Sequence, residues 1–441
     1  MVKSIRTYFQ HSLLMLWCLV FSACVTVRTG ESVDDYAVTI KRLLTRLADK
    51  PGDAEATRDL GIVYFQTANY TEAESYLRKS AEANPGDSKT QFYLGMSLEY
   101  LNKRSQALAV YLRYTDVSAL SPYRKLMEGR YRQLTRDIIQ EQFQTLLAQE
   151  ANLTSGRMST KTVAVFPLEY QGENERFTPL GKGISELMIN DLGQVEEITL
   201  IERIRIEALQ RELQFGASKY VDQSTAPRLG KLLGAGRMVA GSYNVSTSDQ
   251  LRVDVASWDV PGKKFPKPTS QSDALENLFR VEKDLVFGVI KQLGITLTPA
   301  EREKIAQVPT RNLQAFLAYS IGLEKEDQGD FRGAATYFKE AATLDPNFVP
   351  AKSKVDAADA LSTAGGPKES ALASAQLIDP PPRPETASFG ENLLRSRFQR
   401  LGESIGSGFV PGQDSRKPPE QAAAAGAAVG DLPKPPPPPN R

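Results

Sequence analysis

The side chains that could supply a thiolate nucleophile, an imidazole base or a Cys/His metal site number three in this 441-residue chain: Cys18, Cys24 and His11. All three fall within the first 24 residues, and no cysteine or histidine follows. The segment that holds them carries Lys3 and Arg6 and no acid, then the apolar run LLMLWCLVF over residues 13–21, then Ser22 and Ala23. That order of charged, apolar and small residues is the pattern of a secretory signal peptide. The apolar run is too short for a permanent membrane span. Beyond Cys24 the chain therefore lacks the parts for a histidine-based triad, a thiolate nucleophile, a Cys/His zinc site or a disulfide. Little other chemistry is in view. Gly181 and Gly183 make a G-x-G, but Glu186 stands where a phosphate cradle needs its third glycine. Glu196 and Glu197 precede a strand pattern without a visible partner and read as a solvated turn. Lys263, Lys264 and Lys267 form a small basic patch in a loop. No residue takes a catalytic or metal-binding role, and the chain reads as a non-enzyme. A formal net charge of +1 supplies no field that would draw it to nucleic acid.

The VFSACV stretch over residues 20–25 resembles a bacterial lipoprotein signal, in which a small-residue box immediately precedes a lipidated cysteine. Phe21 departs from the usual leucine at the first box position. The resemblance implies cleavage before Cys24 and lipid on its thiol and new amine, with several acyl chains giving a stable anchor. It implies no other cofactor. Cleavage there would remove Lys3 and Arg6 and take the side-chain charge from +1 to −1. Val25 rather than Asp follows the cysteine, which by the enterobacterial sorting rule implies the outer membrane, periplasmic face.

The elements that follow are repetitive. PGDAEATRDLGIVYFQTANYTEAESYLRKSAEAN from Pro51 and PGDSKTQFYLGMSLEYLNKRSQALAVYLRYTDVS from Pro85 run in register at an offset of 34 residues. Gly61 matches Gly95, Ala73 matches Ala107, and Leu77 matches Tyr111. The pattern resembles the tetratricopeptide repeat. The glycines let one helix of a pair approach the other, the alanines keep the facing side small, and Pro85 ends one unit and begins the next. A third copy lies at residues 315–346, with Gly322, Ala334, Phe338, Ala341 and Pro346 on the same positions. Residues 34–49 have the periodicity of a preceding second helix. So few repeats do not bury their faces alone, so both pieces are expected to lean on neighbouring helices, with residues 123–150 capping the first. Tyr64, Tyr93, Tyr100 and Tyr111 have two open readings, as the lining of a concave peptide groove or as repeat packing.

Between the repeats the periodicity changes. Residues 162–168 (TVAVFPL) read as a buried strand, 178–192 as a helix capped by Thr178, 198–201 as a strand, and 203–213 and 226–233 as helices. Residues 237–245 and 251–260 read as a hairpin on the turn STSDQ, and 272–293 as a long amphipathic helix. VAVFPLEY, GKGISELMINDL, ITLIERIRIEALQREL and LLGAGRMVAGSYNV together resemble the periplasmic domain of the curli secretion lipoprotein CsgG and its relatives, among them LpoB and the TolB N-terminal-like domains. The resemblance covers residues 161–294. It implies a mixed α/β sandwich with fold-keeping rather than catalytic residues. The family's two long inserted hairpins, which build a membrane barrel, have no counterpart in the five-residue turn here, which argues against a pore. Residues 170–177, at the place of the family's constriction loop, read as a solvent-facing loop.

The expected fold class is α+β and multidomain: helical repeat hairpins flanking a CsgG-like sandwich, with a disordered Pro/Ala-rich tail. The segments run 1–23 (signal peptide), 24–33 (anchored linker), 34–122 (repeat array), 123–160 (capping helix and linker), 161–305 (CsgG-like domain), 311–362 (late hairpin) and 363–441 (tail). The tail's proline runs favour extended chain. Its one amphipathic stretch, residues 389–401, is a candidate docking helix. The expected function is a lipid-anchored envelope scaffold that binds envelope proteins of secretion, surface assembly or cell-wall synthesis, with an oligomeric CsgG-type channel as the alternative.

Overall fold

The structure, a computed structural model, describes residues 36–153, 158–213, 225–262, 264 and 267–382. Cys24 with its signal segment, Lys263 and the 389–401 stretch lie outside the described residues. One compact unit takes in residues 43–382. Among the described residues no helix is long and apolar enough to cross a membrane.

Helix α1 (Ala37–Asp49) leads into two antiparallel helix pairs, α2 (Ala54–Gln66) with α3 (Tyr70–Ala83) and α4 (Ser88–Tyr100) with α5 (Arg104–Leu112). The repeated Pro-Gly-Asp has a local purpose. Asp53 accepts from the Ala56 amide and Asp87 from the Lys89 and Thr90 amides, so each aspartate caps the helix that starts its pair. Inside each pair a glycine faces a large side chain. A Cβ on Gly61 would lie 2.7 Å from Leu77 Cγ, and one on Gly95 would lie 2.3 Å from the Tyr111 ring. Ala73 and Ala107 are fully buried beside them. Gly95→Ala is therefore expected to destabilise the chain by about 1–2 kcal/mol: overpacking of about 1–3 kcal/mol outweighs the better helix propensity of alanine, up to about 1 kcal/mol. Gly52→Ala, where a Cβ meets nothing within 4 Å, is expected to be neutral. Urea-unfolding midpoints of the two variants check this.

Helix α6 (Pro122–Ala148) is a spine of 27 residues, about 40 Å at 1.5 Å per residue. Its first half, through Tyr123, Leu126, Met127 and Leu134, completes the repeat core. Its second half, through Ile139 and Phe143, covers one face of a sheet. That sheet has the order β3-β1-β4-β5-β6, from β1 (Ser159–Val165), β3 (Thr199–Leu200), β4 (Ala235–Val245), β5 (Gln250–Asp259) and β6 (Thr269–Ala274). β1 pairs in parallel with β3 and β4, and β4-β5-β6 is antiparallel. A short β2 (Glu169–Tyr170) extends the parallel pairing along β4. Alternation along each strand feeds two cores. Val163, Val165, Val239, Tyr243 and Val253 face α7 (Leu180–Leu192) and α10 (Leu278–Leu293). Ala164, Phe166, Met238, Ala256 and Trp258 face α6, α8 (Arg203–Leu213) and α9 (Ala226–Leu233). The whole is α+β, with a mixed sheet set among repeat helices.

After α11 (Pro299–Ile305) come α12 (Leu313–Asp327), α13 (Phe331–Leu344), α14 (Val349–Ala364) and α15 (Lys368–Ile378). Gly322 meets the Phe338 ring as Gly61 meets Leu77. This late hairpin shares a core with the sheet: Phe316, Tyr319 and Phe338 belong to the same buried cluster as α7 and α10.

Four expectations are corrected. Residues 272–274 are strand, not helix: Thr269–Ala274 is an edge strand whose polar sequence carries no apolar alternation, and a 3-10 turn at Leu275–Asn277 leads into α10, which starts at Leu278. Thr178 does not cap α7. It continues a short 3-10 turn, and the free Gly181 amide donates instead to the Tyr243 hydroxyl at 2.9 Å. The 170–177 loop is not wholly solvent-facing, because Phe177 is buried and Tyr170 packs on Tyr243. Ordered helix does not stop at residue 362: α14 runs to Ala364, and α15 follows because Ala371 and Ala375 find a seat on the array.

Candidate interaction surfaces

The first helices of the two pairs, together with α6, form one face of the array, and α15 lies on it. Ala371 and Ala375, fully buried, join the core that holds Phe92, Tyr93 and Tyr123. The Lys89 ammonium meets the Asp379 carboxylate at 2.6 Å. The Tyr100 hydroxyl donates to Glu369 Oε1 at 3.2 Å, and the Lys368 ammonium sits 3.9 Å from the Tyr100 ring centroid. Of the four tyrosines singled out from the sequence, Tyr111 is packing against Gly95. Its hydroxyl donates to Glu99. Tyr64 stacks on Tyr76. Tyr93 and Tyr100 lie at the seat of α15. Burial first, and the Asp379 charge second, push the Tyr93 phenol up.

Arg130 of α6 pins this arrangement. Its guanidinium grips Glu99 of α4 by two bonds, 3.0 and 2.6 Å, and donates to the carbonyls of Ala364 and Gly366 where α14 turns into α15. Gly129 is required next to it, since a Cβ there would lie 2.3 Å from the Ala360 carbonyl oxygen of α14.

A second buried charge cluster joins the repeats to the sheet domain. Arg203 of α8 meets Glu207 (2.6 Å), Glu186 of α7 (3.3 Å), and Glu326 of α12 (2.7 Å), and also bonds Asp327. Arg136 of α6 reaches Glu207 and Glu326, Lys354 of α14 meets Glu326 at 2.8 Å, and Lys182 of α7 meets Asp327 at 2.8 Å. Burial works to raise the Glu326 pKa, but Lys354, Arg203 and Arg136 outweigh it and hold the carboxyl at about 2. Burial dominates at Glu207 and pushes it up to about 8. Four cations facing four acids make a joint between five helices. A shallow surface recess opens beside it, lined by Lys182, Arg203, Glu207 and Asp327, which are already paired within the cluster. The G-x-G glycines serve packing: a Cβ on Gly181 would strike the Leu168 carbonyl, and one on Gly183 the Ser320 hydroxyl of α12.

The remaining sequence candidates stand apart. Pro85 and Pro346 are exposed in turns between helices, Ala334 is buried against α12, and Glu196, Glu197, Lys264 and Lys267 are exposed on loops.

This geometry defines a class: a tetratricopeptide-repeat protein with an α/β domain built into its helical array. Comparison with known families gives the particulars. The model for the curli production assembly/transport component CsgG matches residues 142–248, and the tetratricopeptide-repeat model matches 59–87 and 317–348. The CsgG match begins inside α6, at the half that covers the sheet. The chain is thus a repeat protein with a CsgG-like domain, and the repeats are of a kind that mediates protein–protein contact. The LpoB C-terminal domain from Salmonella enterica aligns at 12% identity over 31% of this chain and 95% of that chain, with a TM-score of 0.23. No curated protein matches the chain significantly.

Proposed function

We propose that the chain is a lipid-anchored scaffold on the periplasmic face of a bacterial outer membrane. In this reading lipid on Cys24 is the anchor and there is no other cofactor. The repeats and the CsgG-like domain hold other envelope proteins for secretion, surface-structure assembly or cell-wall synthesis, and the chain catalyses no reaction. The observation that carries the reading is α6, which lies in the repeat core at one end and on the sheet at the other. Two modules locked on one helix present their surfaces at a fixed spacing, as a scaffold requires. A ring-forming secretion channel takes support from the CsgG match, and the tight β4–β5 turn at residues 246–249 weighs against it. The test is extraction of the native protein in mild detergent, with particle mass and co-purifying proteins measured, alongside acyl labelling of wild type and Cys24→Ser. A small particle carrying defined envelope proteins, labelled only when Cys24 is present, supports the scaffold. A closed ring of many copies would instead establish the channel.

A further inference from the structure

Three features of the α15 seat fit together. The contact stripe is one residue in four, Ala371, Ala375 and Asp379: two methyl groups and a carboxylate. The seat is thin, for Leu377 on the same helix is 87% exposed and Ile378 43%. It is also unfinished. The Tyr93 and Tyr123 side chains are 0% and 5% exposed, yet neither hydroxyl has a hydrogen-bond partner among the described residues. An unmade hydrogen bond at a buried hydroxyl is unfavourable, so this face has unused capacity for acceptors. The connection is suited to release. Arg130 holds the carbonyls of Ala364 and Gly366, while Gly366 and Pro367 themselves are exposed. Beyond that fixed point α15 is tied to α14 by a long bond from the Ser374 hydroxyl to the Thr363 carbonyl, 3.4 Å, a weak contact to give up on release.

We propose that this face of the array is a binding groove for a short helix of a partner protein, and that α15 is its built-in competitor. The groove selects two alanine-sized residues four apart, because Ala371 and Ala375 are already fully buried in the core that holds Phe92, Tyr93 and Tyr123. It selects a carboxylate four residues further on, where Lys89 supplies the cation. A partner with additional acceptors at that end would also engage the Tyr93 and Tyr123 hydroxyls, and so outcompete α15. Tethering gives α15 a high effective concentration, which sets the threshold a partner has to exceed.

The proposal deepens the scaffold reading and rests on it only for the partner's being a protein. The test uses the purified full chain in detergent and a labelled peptide of residues 366–382. Because α15 is removed as a competitor in Ala375→Glu, that variant is expected to bind the peptide at least tenfold more tightly than wild type. Adding Lys89→Glu should reverse the gain. Hydrogen exchange on the unaltered chain should show α15 amides exchanging at least tenfold faster than those of α14, and faster still with excess peptide. Equal protection of α14 and α15 that excess peptide does not change, or peptide binding indifferent to both substitutions, would overturn the proposal. Failure of these measurements leaves co-purification of envelope proteins untouched, and a lone monomer in that experiment leaves the groove untouched, so the two readings fail separately.

Discussion

Glu326→Gln is expected to destabilise the chain by about 3–5 kcal/mol at neutral pH, the usual magnitude when one partner of a buried ion cluster is removed. The reason is specific to the joint. Glu326 is the buried acid that Arg203, Arg136 and Lys354 share, so its removal leaves three partly buried cations with one fewer counter-charge. The pH dependence carries a sign that can be worked out. The folded pKa of about 2 lies below the ordinary 4.5, so the folded state binds fewer protons than the unfolded one between these values. The contribution of Glu326 is fully present above about pH 4.5 and is lost as pH falls toward 2, on the order of 3 kcal/mol for that interval. Asp327, also held low, loses stability on the same acid side. Glu207 runs the other way: its folded pKa of about 8 lies above 4.5, so its contribution declines as pH rises between them. Urea unfolding at pH 5 and pH 2.5 checks the prediction, because Glu326 loses its contribution across that interval while Glu207, already protonated in the folded chain, changes little. Wild type should lose stability between these pH values, and Glu326→Gln should start lower and lose less. An unchanged acid slope in the variant would mean that the joint does not govern acid stability.

The fold was legible where side-chain pattern and backbone demand coincide. Gly61, Gly95 and Gly322 could be placed because a repeat prints the same requirement three times, and each does face a large partner side chain. The buried stripe of α7, Leu180, Ile184, Leu187, Met188 and Leu192, was legible from its 3.6-residue period. What failed to show has physical causes. β6 is TSQSDA, a polar edge strand held by backbone pairing to β5, which leaves no hydrophobic signature. The cap of α7 comes from Tyr243, 62 residues from the amide it serves, so no local motif announces it. The α15 sequence KESALASAQLI hides its contact face because the buried residues are alanines and the large Leu377 points to solvent. The joint was invisible because Arg203 and Glu326 lie 123 residues apart, and each alone reads as a surface charge. Short-range signals thus revealed the modules, and the contacts that fuse them are long-range and polar.

Arg130→Met should show how far that fusion depends on a single side chain. Arg130 is 3% exposed, and its guanidinium ties α4, α6 and the α14–α15 turn together at once. Burial alone would lower its pKa, but Glu99 more than offsets this, so the cation is fully charged in the folded chain. Methionine fills similar volume without the charge. It leaves Glu99 buried with only the Tyr111 hydroxyl and the carbonyls of Ala364 and Gly366 without their donor. A loss of about 3–5 kcal/mol is expected, concentrated at the α14–α15 turn, with α15 protection from hydrogen exchange falling more than that of α2 or α3. Arg130→Met combined with Glu99→Leu removes both charges and should recover part of the loss, since an apolar pair avoids the orphaned carboxylate. The remainder that is not recovered measures what the two carbonyl bonds contribute. If the double variant is as unstable as the single one, the pin acts through those carbonyls, and the Glu99 pair serves mainly to aim the guanidinium at them.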